Sequence, residues 1–417
     1  MELKPGYKQT EVGVIPEDWV LQPLSSLTIL ITNGFVGPVK SHYTERDGGV
    51  LYIQGYNIEE NSFNFNGIKH VTQEFHKKQS KSCLHEGDLL TIQTGDVGLT
   101  TYVPSELAGS NCHALIITRF KNDKYISKFF SYYLNSHKGR ARLKEIETGT
   151  TMKHINVGDM VHFLVPYPPT KIEQTAIANV LSDADALIQS LTRLIAKKRQ
   201  IKQGTMQTLL NPYENEKLKD GWEEKKLGEI GIFRGGSGFP RRYQGKTEGL
   251  YPFYKVSDMN NEGNEKLMVN ANNWIDEKIK KEIGAITFPK NTIIFAKIGA
   301  AIFLERKKIL NQESCIDNNM MGYIFDTNLY DAEYLHYLFQ TIPLGKLVST
   351  TALPSLNGKE IATQKYYFPN KLEQTGIATI LSDMDAEIAA LETKLAKYRR
   401  IKQGMMQNLL TGRIRLI

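Results

Sequence analysis

The sequence predicts an α+β protein in which two mixed α/β globules are joined by a long two-helix antiparallel coiled coil, with the two halves of the chain related by pseudo-two-fold symmetry. Three observations carry that expectation. The phrase "EQTAIANVLSDADALI", beginning at Glu173, is written again as "EQTGIATILSDMDAEI" from Glu373. Both copies place apolar residues at coiled-coil spacing. The segments ahead of each copy also repeat, more faintly.

The doubled phrase runs without a gap through 173–210 and 373–410, and 23 of the 38 positions are identical. Self-similarity at a fixed offset is the sequence signature of a repeated structural unit. Neither copy contains proline. Apolar residues recur at Ile177, Leu181, Ala184, Ile188, Leu191 and Ile195, and again at Ile377, Leu381, Met384, Ile388, Leu391 and Leu395. Alternating steps of four and three put them in one seam along each helix. Thr170 with Glu173, and Asn370 with Glu373, have capping-box spacing. Turn chemistry at Asn211-Pro212 and Thr411-Gly412 ends each copy. Thirty-eight helical residues span about 57 Å. One such helix cannot bury its seam alone, but two can bury each other. The intervening chain is long enough for either parallel or antiparallel pairing, and the flanking repeats favour antiparallel. The plainer alternative is two unrelated amphipathic helices, each packed on its own domain.

Those flanking repeats supply the globules. "YIQGYNI" from Tyr52 matches "FYKVSDM" from Phe253, and "GDLLTIQTGDVG" from Gly87 matches "NTIIFAKIGAAI" from Asn291. The segment 132–156 matches 337–357, and "PEDWVLQPLSSL" from Pro16 matches "KDGWEEKKLGEI" from Lys219. The runs "LLTIQ", "ALIITRF", "TIIFAKI" and "MGYIF" read as strands, and "ISKFFSYYLNS" and "AEYLHYLFQ" as helices. The division expected is an entering segment 1–21 that closes the circular repeat, a globule at 22–168, a long helix at 169–212, a second globule at 213–368, a second long helix at 369–412, and a tail at 413–417.

Composition sets wider bounds. The chain has 417 residues, 41% of them hydrophobic and 23% charged, which is the balance of a folded globular protein with two or three cores. No apolar run reaches the roughly 18 residues of a membrane span, and the first residues lack the apolar centre of a signal peptide. Cys83, Cys112 and Cys315 form no close pair, which fits a reducing cytoplasm. The net charge of +7 is compatible with a nucleic-acid partner without demanding one.

Two globules on one scaffold that differ in their loops suit two similar but non-identical targets. The paired helix phrases, the "IFAKIGA" strand and the "FYKVSDM" segment together resemble the specificity subunit of type I restriction–modification enzymes, over essentially the whole chain. The resemblance implies that each globule is a target recognition domain reading one half of a bipartite site in double-stranded DNA, and that the coiled coil holds the two apart. It also implies a non-catalytic subunit that carries two modification (methyltransferase) subunits and, in the full enzyme, two restriction subunits. S-adenosylmethionine, ATP and Mg would then belong to those partners, with no cofactor or metal in this chain. The competing class is a coiled-coil scaffold whose globules bind proteins without reading DNA sequence directly.

Enzyme signatures do not survive inspection. "NPYE" at Asn211 lacks a proline of the methyltransferase loop it approximates and sits at a helix stop. "GGSGFPRRYQGKT", from Gly235, ends like a P-loop but has Pro240 where the first glycine belongs. No two of the nine histidines have metal-ligand spacing.

The DNA-contact candidates are polar residues at strand ends and in loops. In the first half they are Gln54, Tyr56, Asn57, Gln93, Thr94, Asp96, Thr150, Thr151, Lys153 and His154. In the second half "RGGSGFPRRYQGK" offers Arg234, Ser237, Arg241, Arg242 and Lys246 on a loop expected to be flexible, where arginine can meet phosphate or a guanine edge. Lys255, Ser257, Asp258, Lys297, Asn318, Asn319, Thr350, Thr351 and Ser355 complete that set. Each residue singly has an ordinary loop role as its default. Five basic residues and no acid occupy 193–202, and 394–402 repeats this block. Lys202 and Lys402 fall on the seam, where apolar contact should thin.

Overall fold

The structure, a computed structural model, describes residues 5–348 and 353–416. Thr350 and Thr351 therefore lie outside the described residues. The chain divides into two compact units, Met1–Arg193 with Thr393–Ile417, and Leu194–Glu392. Two long helices, Lys171–Leu210 and Lys371–Leu409, each contribute one part to each unit.

Within each unit the two helix parts run antiparallel. In the second unit Lys198 pairs with Glu387 and Lys202 with Asp385, so the partner number falls as the first rises. In the first unit Lys402 pairs with Asp185, while Leu409 and Leu410 share a core with Ile177 and Leu181. The predicted seam is the covered side: Ile177, Leu181, Leu191, Ile195, Ile377, Leu381, Ile388 and Leu395 are all buried. Thr170 and Asn370 cap their helices through Glu173 N (3.3 Å) and Glu373 N (3.0 Å). The reciprocal half of each capping box is not made. Arg415 holds the Glu173 carboxylate through charge-assisted bonds, and the Trp222 indole holds that of Glu373 (3.0 Å).

The globules repeat one plan. In the first, a four-stranded antiparallel sheet has the order Thr100–Tyr102, Leu89–Ile92, Leu115–Phe120, Thr28–Asn33. A second, mixed sheet is centred on Val50–Ile53. In the second globule the corresponding sheets are centred on Ile293–Ala296 and Tyr251–Tyr254. Ser127–Asn135 and Ala332–Thr341 are the helices foreseen there, and each joins its sheet to the long-helix seam in one core. The matching entering segments become matching strands: Val20–Pro23 pairs with Leu164–Tyr167, and Glu223–Lys226 with Lys365–Phe368. Trp19 and Trp222, just ahead of them, are buried. The chain's first strands also reach the end of the second long helix, where the Tyr7 hydroxyl donates to Gly412 O and Arg415 binds Asp18.

At the seam lysines, where apolar contact is expected to thin, ion pairs take its place. The Lys402 ammonium contacts Asp185 and Glu60 and lies 5.8 Å from the Tyr132 ring, and Tyr132 donates to Asp185 (2.7 Å). Lys202 repeats this with Asp385 and Tyr337, and Tyr337 donates to Asp385 (2.7 Å). Replacing Asp385 by alanine strands both Lys202 and Tyr337. It is expected to cost about 1–2 kcal/mol, a figure reduced for the carboxylate's partial exposure. Glu392→Ala, which removes only the exposed partner of Arg199, should cost no more than about 0.5 kcal/mol. Urea unfolding of both variants checks the difference, and equal losses would show that the seam pair has no special weight.

Candidate nucleic-acid interface

In both units the strands that carry the predicted polar residues end at one rim, built from the same backbone hydrogen bonds. In the first unit Gly34 N donates to Leu115 O (2.8 Å), Phe35 N to Cys112 O (3.0 Å) and His113 N to Ile53 O (2.8 Å). In the second, Gly236 N donates to Met320 O (3.1 Å), Ser237 N to Ile316 O (2.9 Å) and Asp317 N to Tyr254 O (2.9 Å). A fourth bond matches as well: Ile155 N to Gln93 O, and Leu356 N to Lys297 O. Glycine is required at the first of these positions because the backbones nearly touch. A Cβ on Gly236 would lie 2.1 Å from Asp317 O, and one on Gly34 would lie 2.6 Å from Cys112 Sγ.

The shared backbone carries different side chains. Equivalent positions hold Phe35 and Ser237, Gln54 and Lys255, Gln93 and Lys297, His113 and Asp317, His154 and Ser355. The second rim is therefore the more charged. Lys255 Nζ donates to Gln244 Oε1 (3.2 Å), and Lys297 crosses over Gly235. Burial raises the Asp317 carboxyl above the usual carboxylate range, although its oxygen accepts from Asn319 N. Ser237 Oγ accepts from Ile286 N (2.9 Å). Asn318 is exposed and Asn319 half-buried beside it.

In the first unit Thr94 and His154 meet in a backbone bridge, so Gln93 and Thr94 lie against the 148–154 turn, while Asp96 is exposed. That turn is closed by Thr148–His154 bonds and presents Thr150, Thr151 and Lys153 to solvent. Gln54 and Tyr56 form a separate group: Gln54 Nε2 donates to the Tyr56 hydroxyl, which donates to Gly67 O.

Other predicted residues have different duties. Asn57 and Asp258 are wholly buried. Asn57 Oδ1 accepts from Gln54 N (3.0 Å), and Asp258 accepts from Lys255 N (2.6 Å) and Asn272 N (3.0 Å). Both cap the turn after a strand and present no surface to a ligand, which corrects the expectation that they touch DNA. Ser257, next to Asp258, is exposed. The 234–246 segment is not a free loop either. Phe239 stacks on Phe253 (3.9 Å), Gln244 donates to Phe239 O, and Gly245 N donates to Asn273. Arg242 binds Glu282 and Lys246 lies 3.7 Å from Asp276, leaving Arg234 and Arg241 as the exposed cations of that segment with no ion pair among the described residues. His113 and Gln244 were missed. His113 lies beside the buried Tyr52 hydroxyl (3.1 Å), and burial lowers its pKa. Aligning "NCHAL" with "CIDNN" would have found it at the position of Asp317.

Among the described residues no cluster of three or more His, Cys, Asp or Glu could hold a metal, and no helix is long and apolar enough to cross a membrane. Two copies of one module, each with a polar rim on a common backbone, define a paired recognition protein. The family model for the type I restriction modification DNA specificity domain matches twice, at residues 30–203 and 219–398. The chain therefore belongs to the type I restriction–modification DNA specificity family, and its role is that of a specificity subunit. It is 25% identical over 435 aligned positions to the protein assigned as the type I restriction enzyme MjaX specificity subunit of Methanocaldococcus jannaschii, covering 98% of this chain and 97% of that one. It is 24% identical to the EcoKI specificity subunit of Escherichia coli over 217 residues, half of this chain and 45% of that one. The crystal structure of the Mycoplasma genitalium S subunit has the same fold, with a TM-score of 0.60, 19% identity and 98% of each chain covered.

Asp258→Ala is expected to destabilise the second unit by about 1–3 kcal/mol by freeing two backbone donors. Ser257→Ala should stay within about 0.5 kcal/mol. Chemical denaturation separates them, and a silent Asp258→Ala would return that residue to the candidates for contact.

Proposed function

We propose that each unit reads one half of a bipartite site in double-stranded DNA through its rim, that the paired long helices set the unread spacer, and that the chain performs no chemistry itself. One observation carries this reading: the backbone of the rim is duplicated while its side chains are not. A conserved mount with exchanged contact groups suits two similar ligands of different sequence. Lys255, Lys297, Arg234 and Arg241 supply phosphate and base donors on one rim. Gln54, Gln93, His113 and His154 give the other a set of amide and imidazole donors and acceptors.

Methyl transfer and cleavage then belong to partner subunits, two for modification and two for restriction, which bring S-adenosylmethionine, ATP and Mg, all in the cytoplasm. In each unit the first long helix leaves an apolar pair spaced by seven 36–45% exposed, Val180 with Leu187 and Leu194 with Ile201, which suits a partner helix.

Replacing 22–168 with the same region of a relative, in the complex with modification subunits, should change one half of the methylated site and leave the other half and the spacer intact. Mapping of methylated sites decides it, and simultaneous change of both halves would exclude independent readers. The spacer is tested separately. Adding one heptad to both long helices, after Arg193 and after Thr393, keeps the seam in phase and adds about 10 Å. The spacer should grow by about three base pairs at about 3.4 Å each. An unchanged spacer in an active complex would mean that the helices do not measure DNA.

A further inference from the structure

The first unit contains a cavity of about 790 Å³ between the helix His137–Glu145 and the second long helix. Its lining includes Lys138, Arg399 and Arg413 together with the apolar Ile188 and Met406. The cavity's two carboxylates, Asp185 and Glu60, are both bound to Lys402. Lys138, Arg399 and Arg413 have no acidic partner among the described residues. Burial and then the neighbouring Arg413 and Arg142 charges lower the Lys138 pKa, as expected where cations crowd without a counter-charge.

The repeat shows that this excess is particular to one half. In the second unit the residue equivalent to Arg399 is Arg199, and it pairs with Glu392 (2.5 Å), beside Lys198 with Glu387 (2.7 Å). At the positions repeating Glu387 and Glu392 the first unit has Leu187 and Thr192. Thr192 in place of a glutamate leaves Arg399 without the partner that Arg199 has, and Tyr398 in place of Lys198 needs none.

We propose that this cavity docks an acidic protein segment bearing an apolar side chain, once per chain. Carboxylates would meet Lys138, Arg399 and Arg413, and the apolar side chain would cover Ile188 and Met406. A lining that is both cationic and apolar fits such a segment better than a phosphate backbone, which has nothing to place on Ile188 and Met406. The inference uses charge and the internal repeat, and stands apart from the reading of DNA at the rims.

The test is fluorescence anisotropy of the full chain with a labelled peptide, EELEELEE. Saturable binding of one peptide per chain is expected. Arg399→Glu should weaken it about tenfold or more. Thr192→Glu, which rebuilds the acid that Arg199 already has, should weaken it similarly without disturbing the fold. Arg199→Gln should leave it unchanged. Equal affinity in the unaltered chain, Arg399→Glu and Thr192→Glu would overturn the proposal, as would two peptides per chain. Displacement of the peptide by lower concentrations of inorganic polyphosphate or duplex DNA would overturn the choice of ligand.

Discussion

One carboxylate on each long helix ties three helices together, and the rest of the architecture depends on it. Asp185 accepts from Tyr132 of a globule helix and binds Lys402 of the opposing long helix; Asp385 does the same with Tyr337 and Lys202. An apolar seam alone specifies contact but not register, because leucine and isoleucine tolerate sliding. A charge pair placed in that seam penalises every register that leaves it unmatched. The tyrosine extends the constraint to the globule, so that its orientation on the helices is fixed by the same group. Burial works against the Lys402 charge, but Asp185 and Glu60 outweigh it and raise its pKa. A raised folded-state value means that this contribution is complete below the ordinary lysine range, about 10.4. It is lost only as the pH rises through the folded value.

Around that lock the two halves keep a set of structural contacts and vary nearly everything else. Gln174 and Gln374 are both buried, and each clamps its long helix to its globule. One accepts from Ile126 N and donates to Pro168 O, and the other accepts from Asp331 N and donates to Pro369 O. Where the halves differ, the surroundings explain it. Trp222 donates to Glu373, whereas the equivalent Trp19 indole has no partner among the described residues, Glu173 being held by Arg415. Arg415 in turn bonds Asp18, holding the Asp18 carboxyl below the ordinary carboxylate range.

The fold was legible in the sequence where periodicity or duplication carries information. The seam residues, the two globule helices, the central strands and the entering strands were all visible because each depends on spacing that folding preserves. The lysines in the seam were visible as exceptions, but their partners were not. Tyr132 and Asp185 lie 53 residues apart in sequence, and only the packing of two elements brings them together. The candidate site was less legible. Asn57 and Asp258 have the composition of contact residues and the position of turn caps, and a short polar side chain after a strand serves either purpose until the backbone donors are located. The Arg234–Lys246 segment looked mobile because of its glycines, and the ring of Phe239, stacked on Phe253, anchors it.

These two outcomes have one physical cause. The rim's backbone is over-determined: close contacts at Gly34 and Gly236, bonds to three strands, and buried caps behind it. Its outward side chains are largely outside the core, so they can change with little effect on folding. A module built this way separates what must stay constant for the chain to fold from what must differ for it to discriminate. Gln54 can become Lys255, and Gln93 can become Lys297, on a mount that does not move. The same separation explains why the sequence declares the scaffold twice and loudly, while the rims, free of any packing pattern, leave their chemistry to be found in the structure.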